Sequence, residues 1–143
     1  MMYLLDTNVI SELRKARTPK ADTHVMAWVD SIPMNKMFIS VISVFEIELG
    51  ILRLERKDQQ QGQILRTWFE ERVLRTFEKR TLEISPVIAL KCAKLHVPDP
   101  TSERDAMIAA TAMTHGMTIA TRNTKDFEAS GVNLLNPWSE KTA

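Results

Sequence analysis

Three acidic residues, far apart in the chain, stand where α/β proteins place reacting groups. Asp6 follows the apolar run Met2-Tyr3-Leu4-Leu5 and precedes Thr7-Asn8, where the chain turns helical. A short run that is apolar on consecutive residues reads as a central parallel strand covered on both faces, and ligands bind beyond the carboxyl ends of such strands. On its own Asp6 serves equally well as a helix cap. Asp105 ends a loop rich in Pro, Thr and Ser (residues 98–104) and opens an apolar, small-residue helix over residues 106–113 that must be buried nearly all round. Glu46 lies in the helical stretch 43–50, whose core face is marked by Val44, Ile47, Ile51 and Leu54. Glu46 flanks that face, whereas Glu48 is rotated about 200° from it.

Carboxylates gathered in one crevice repel each other and raise one another's pKa unless a cation compensates. An oxygen-only ligand set, with no clustered Cys or His, points to Mg²⁺ or Mn²⁺ rather than zinc. Such ions activate water and neutralise charge developing on a phosphate, which is the equipment of a phosphodiesterase. Asp6 and Asp105 are the expected direct ligands. Glu46 either ligates through water or orients the attacking water.

The segments 4–13, 43–50, 105–112 and 121–127 together resemble the PIN-domain ribonucleases, most closely the VapC-type toxins of bacterial toxin–antitoxin pairs. The resemblance runs from Met2 to about Trp138, in the family's order and at its spacing. It implies a single PIN-like domain (1–143, core about 2–138) with a central, mostly parallel sheet of about five strands flanked by helices. It also implies a metal-dependent endoribonuclease acting as a toxin, catalytic through Asp6, Glu46 and Asp105. The implied partners are an RNA substrate, a VapB-type antitoxin whose carboxyl-terminal segment covers the acidic cleft, and a second copy in a homodimer. In the family a fourth acid often follows the fourth strand. Here the first such position is Asn123, and Asp126, three residues on, is either a further metal ligand or a helix-terminal acid favoured by the dipole. Thr7, Asn8, Thr121 and Asn123 are either hydrogen-bonding partners of these acids or simple cap and turn residues.

Other readings compete. A housekeeping PIN nuclease in RNA processing shares the acids, and a catalytically silent PIN-like binding module would not need them. A haloacid-dehalogenase-type phosphatase wants Asp-x-Asp, but Asn8 stands where its general acid belongs. A receiver-type signalling domain wants an acceptor Asp after its central strand, where this chain has Ile42 and Ser43. The three histidines, His24, His96 and His115, are unconnected in sequence and read as surface or capping groups.

At 143 residues the chain suits one domain and buries roughly two thirds of its unfolded surface. A net charge of +1 does not announce a nucleic-acid binder, so any basic surface is local. Arg14, Lys15, Arg17, Lys20, Arg104, Arg122 and Lys125 are the residues that supply it. Cys92 is the only cysteine, which excludes an internal disulfide and suggests a buried thiol. With no leader pattern and no apolar run of membrane-spanning length, the expectation is a cytoplasmic protein without a membrane partner.

The elements that position these residues alternate. Helices are predicted near residues 8–14 and 21–31, a buried strand at 36–41, and a third helix capped by Ser43 and ending near Arg56. Gln59-Gln60-Gln61-Gly62 reads as a turn, opening an amphipathic segment within residues 57–79. The resemblance implies that this segment projects and clasps the antitoxin, whereas the pattern alone describes a helix packed on its own domain. A strand at 81–84, a helix at 86–96, the helix after Asp105 ended by Gly116, and strands at 117–121 and 132–135 complete a parallel α/β order.

Overall fold

The computed structural model describes residues 1–139. Residues 140–143, part of the expected domain, lie outside the described residues. Five parallel strands form one sheet in the order β3-β2-β1-β4-β5. They are β1 (Tyr3–Leu5), β2 (Met37–Ser40), β3 (Thr81–Leu82), β4 (Thr118–Ala120) and β5 (Leu134–Leu135). The helices are α1 (Thr7–Leu13), α2 (Thr23–Ser31), α3 (Val41–Lys57), α4 (Gln59–Trp68), α5 (Pro86–Leu95) and α6 (Glu103–His115).

Side chains of β1 alternate between two cores because a strand's period is two. Tyr3 and Leu5 join Ile10, Trp28, Ile47 and Phe69 on one face, while Leu4 joins Ile108, Ala112 and Ile119 on the other. Each fully buried aliphatic chain such as Leu4 or Ile119 contributes roughly 1.5–3 kcal/mol. The alanines of α6 let that helix lie close to the sheet, and Ala106, Ala109, Ala110 and Ala112 are all buried. Gly116 ends it in the left-handed conformation, at φ 66°. Cys92 is buried on α5, and burial pushes its thiol pKa up. Among the described residues no helix is long and apolar enough to cross a membrane.

The predicted start of the third helix and the predicted turn at 59–62 are corrected. The third helix starts at Val41 rather than after Ser43, because β2 ends at Ser40 and the Ser40 hydroxyl accepts from the Ile42 N–H at 3.0 Å. Residues 59–62 are not a turn. The carboxylate of Asp58 accepts from the Gln61 N–H at 3.1 Å and starts α4 immediately after α3, with only Asp58 between them. Gly62 is the contact point of this helical hairpin, since a Cβ there would stand 2.4 Å from Glu55 Cγ. Arg66 ties the two helices, meeting Glu48 at 3.0 Å and Glu55 at 2.9 Å. A π-helical turn, Phe69–Leu74, continues α4 and carries Phe69 and Val73 into the core. Leu65 and Trp68 also pack against that core, so the segment's apolar face is largely used within its own domain, with Ile64 left exposed.

Candidate active site

The sheet order reverses beside β1: the chain leaves β1 for β2 on one side and returns later to β4 on the other. A crevice opens at the carboxyl ends of strands at such a switch point. Asp6 lies there, its backbone N–H donating to the Ala120 carbonyl at 2.9 Å. Capping and facing the crevice prove compatible, because the carboxylate has two oxygens. Oδ1 accepts from the Thr7 N–H at 2.8 Å, and Oδ2 accepts from the Thr121 hydroxyl at 2.7 Å. The Asn8 amide donates to the same Oδ2 at 3.4 Å and to Thr121 at 3.3 Å. The Asn123 backbone N–H donates to the Thr121 hydroxyl oxygen at 3.0 Å, so Asn123 contributes to this network through its main chain.

Glu46 reaches the same place from α3. The Thr7 hydroxyl donates to Glu46 Oε1 at 2.6 Å and lies 2.9 Å from the hydroxyl of buried Ser43. Two residues further along the helix, Glu48 points to Arg66 on the hairpin instead. Asp105 stands in the first turn of α6, which begins two residues earlier than the sequence suggests because Ser102 is its cap. The Ser102 hydroxyl accepts from the Asp105 N–H at 3.4 Å. Asp126 comes from a short 3₁₀ turn, Thr124–Asp126, and lines a cleft of about 170 Å³ together with Asp105.

The electrostatics of the acids are those of an uncompensated cluster. Burial pushes the Asp6 carboxyl above its ordinary range, the Thr121 and Thr7 hydrogen bonds oppose this, and the charges of Glu46 and Asp126 add to it. Asp105 is pushed up to about 6, first by burial, then by Asp6, Asp126 and Glu46, with only the Ser102 contact acting against it. Among the described residues no three acidic, histidine or cysteine side chains are placed together so that they could hold a metal ion as they stand. The arrangement is an open, oxygen-lined, negatively charged crevice.

Cations border it. Arg104 Nη1 stands 3.6 Å from Glu46 Oε2, and its guanidinium lies 4.9 Å from the Phe45 ring centroid. Arg14, Lys15 and Arg122 line a larger cavity that begins at Thr7, Asn8 and Glu46. Arg17 lines an adjoining groove with Val73 and Phe77, which shares Arg14 and Trp68 with that cavity. Lys20 and Lys125 are exposed. His96 Nδ1 accepts from the Thr101 N–H at 3.2 Å, His24 lies 3.9 Å from Asp22, and His115 is exposed at the end of α6. Ser43 is the member of the network that the sequence assigned to a different task. A buried hydroxyl one helical turn before Glu46 was the available signal.

The family model for the PIN domain matches residues 3–131. Toxin FitB of Neisseria gonorrhoeae is 37% identical, covering 97% of this chain and 100% of its own length. VapC ribonuclease Y4jK of Sinorhizobium fredii is 36% identical, covering 96% of this chain and 98% of its own. Among solved structures, FitAB bound to a DNA fragment superposes with a TM-score of 0.87 at 34% identity, covering 99% of each chain. The strand exits at which these acids meet thus belong to a shared architecture, and the chain belongs to the PIN domain family.

Proposed function

We propose that this chain is a metal-dependent endoribonuclease that acts as the toxin of a toxin–antitoxin pair. The observation that carries the reading is the meeting of Asp6, Glu46, Asp105 and Asp126 at one sheet edge, with Asp105 pushed up to about 6 first by burial and then by the charges of the other three. Carboxylates in that state favour a divalent cation, and the donors are all oxygen, which fits Mg²⁺ or Mn²⁺. Among the described residues the acids are not drawn into a formed metal site, so an ion bound here would have few protein ligands and keep waters of its own. Asp6 and Asp105 would hold it, with Asp126 as a further ligand candidate. When bound, it supplies Lewis-acid stabilisation of the phosphate and lowers the pKa of water.

The chain's own groups do the rest. Thr7, Asn8 and Thr121 fix both oxygens of Asp6, so the carboxylate is oriented before any ligand arrives. Glu46, held by the Thr7 hydroxyl at 2.6 Å, orients the attacking water and accepts its proton. Arg104, 3.6 Å from Glu46, is placed to meet the phosphate's negative charge.

Similarity to a protein named VapC ribonuclease supports the RNA substrate, and similarity to FitB, whose neighbour structure is a FitAB complex, supports control by an antitoxin. The antitoxin lays an apolar segment against the groove beside α1, α2 and α4 and carries an Arg to the carboxylates, where a planar fork pairs bidentately. The test is expression of the chain without a partner. Growth should arrest, the Asp6→Asn form should not arrest it, and co-expression of the neighbouring gene's product should restore growth. A binding neighbour that leaves ribonuclease activity and metal affinity unchanged would shift the assignment to a housekeeping PIN nuclease.

A further inference from the structure

We propose that the cavity adjoining the acids is a nucleobase pocket, which takes one unpaired base beside the acid cluster and stacks it on indole rings. The proposal rests on the nuclease reading above and deepens it. The cavity measures about 450 Å³, within the range of about 300–1,000 Å³ for small-molecule sites. One end is Thr7, Asn8 and Glu46, so an occupant is continuous with the acid cluster. The walls include Trp68 and Trp138, both only partly buried, with Leu65 and Ile47.

Every base has a π face, and unpaired bases are held by aromatic rings and guanidinium planes. The Arg122 guanidinium lies over the Trp138 ring, 5.3 Å from its centroid, so it covers one face of that indole and sets its own plane beside the ring. The same residue couples pocket to acids: its backbone N–H donates to Asn8 Oδ1 at 3.3 Å, and the Asn8 amide reaches Asp6. The carboxylates that line the cavity already have partners. Glu46 meets Thr7 and Arg104, while Glu12 accepts from the Asp22 N–H at 2.8 Å and pairs with Lys15 at 3.3 Å. Arg14 and Arg122 are exposed at the rim. An apolar peptide side chain would fill the indole wall and leave these two cations unanswered. A nucleotide answers both, with its base on the rings and the Arg122 guanidinium plane and its phosphate at Arg14.

The test compares binding of a uridylate hexamer with that of a fully abasic hexamer carrying the same phosphates, in EDTA, followed by tryptophan fluorescence. Wild-type protein should bind the base-bearing strand at least about tenfold more tightly and show quenching. Trp138→Ala should bring the ratio close to one, and Trp138→Phe should restore most of it. Because Trp138 also touches the core, Arg122→Ala at an exposed position is the second variant and should lower the ratio on an unperturbed fold. Equal binding of the two strands by wild type, or an unchanged ratio in both Trp138→Ala and Arg122→Ala, overturns the pocket. Quenching by an apolar, acidic peptide but not by the uridylate strand overturns it in favour of a protein occupant. A parallel Mg²⁺ cleavage assay separates the two claims. Cleavage without base-selective binding leaves the nuclease reading standing and removes the pocket, whereas base-selective binding without cleavage does the reverse.

Discussion

Asp105 is the residue at which the cluster's repulsion is most directly measurable. Its folded-state pKa is pushed up to about 6 from an ordinary value of 3.8. The native state therefore holds this proton more tightly than the unfolded state does. The stabilisation from that proton is complete below about pH 4 and is lost as pH rises through about 6. Asp105→Asn should remove the loss, making the metal-free variant more stable than wild type above pH 6 by about 1 kcal/mol after solvent screening. That corresponds to ~2–4 °C in Tm, and the difference should shrink towards pH 4. Thermal melts in EDTA at pH 4 and pH 7 check this, and a variant less stable at pH 7 would contradict it. Glu46 and Glu48 provide a second contrast, since one is held by Thr7 in the crevice and the other by Arg66 on the hairpin. Glu46→Gln should cut RNA cleavage by orders of magnitude, and Glu48→Gln should leave it within a few-fold. Matching losses would place Glu48 in the reaction. The positions of Asp6, Glu46 and Asp105 were legible because strand exits and helical phase are local rules. Ser43 was not, because Ser40 and Ser43 are equally fit to cap a helix, and which one does depends on where β2 stops pairing with β1 and β3.

At the scale of elements, the α3–α4 hairpin shows what pattern alone leaves open. A glycine after three glutamines has the composition of a turn, yet Gly62 sits inside a helix because Glu55 of α3 passes over it. That requirement comes from another element and leaves no local trace. Gly62→Ala would gain about 1 kcal/mol in helix propensity. The added Cβ, however, would stand 2.8 Å from the Glu55 Cα, a main-chain atom with little room to yield. Overpacking of this kind costs about 1–3 kcal/mol, so the variant should be net destabilised, with a lower urea midpoint. A midpoint equal to or above wild type would show that the helices separate freely. The hairpin also carries Trp68 to the cavity and Leu65 to the core, so the same substitution should weaken RNA binding more than it changes metal affinity.

For the molecule as a whole, the strand order was readable in outline from the alternation of apolar runs and helical periods. The short strands β3 and β5 were read too long, because flanking apolar residues such as Ile84 and Val132 pack on the cores without joining the ladder. The fold draws acids from four separate segments to one edge while the net charge stays at +1. The charge is partitioned, with carboxylates inside the crevice and arginines at its border. On the proposed function, a partner segment bearing one Arg would answer the crevice and compete with the metal. The central claim is that these carboxylates hold a divalent cation with which the chain cuts RNA. It is tested most directly by following cleavage of total cellular RNA by purified protein in Mg²⁺, in Mn²⁺ and in excess chelator, beside folded Asp6→Asn and Asp105→Asn variants. Wild type should cleave with either metal and not in chelator, and neither variant should cleave. Undiminished cleavage in chelator, or by either folded variant, would contradict it.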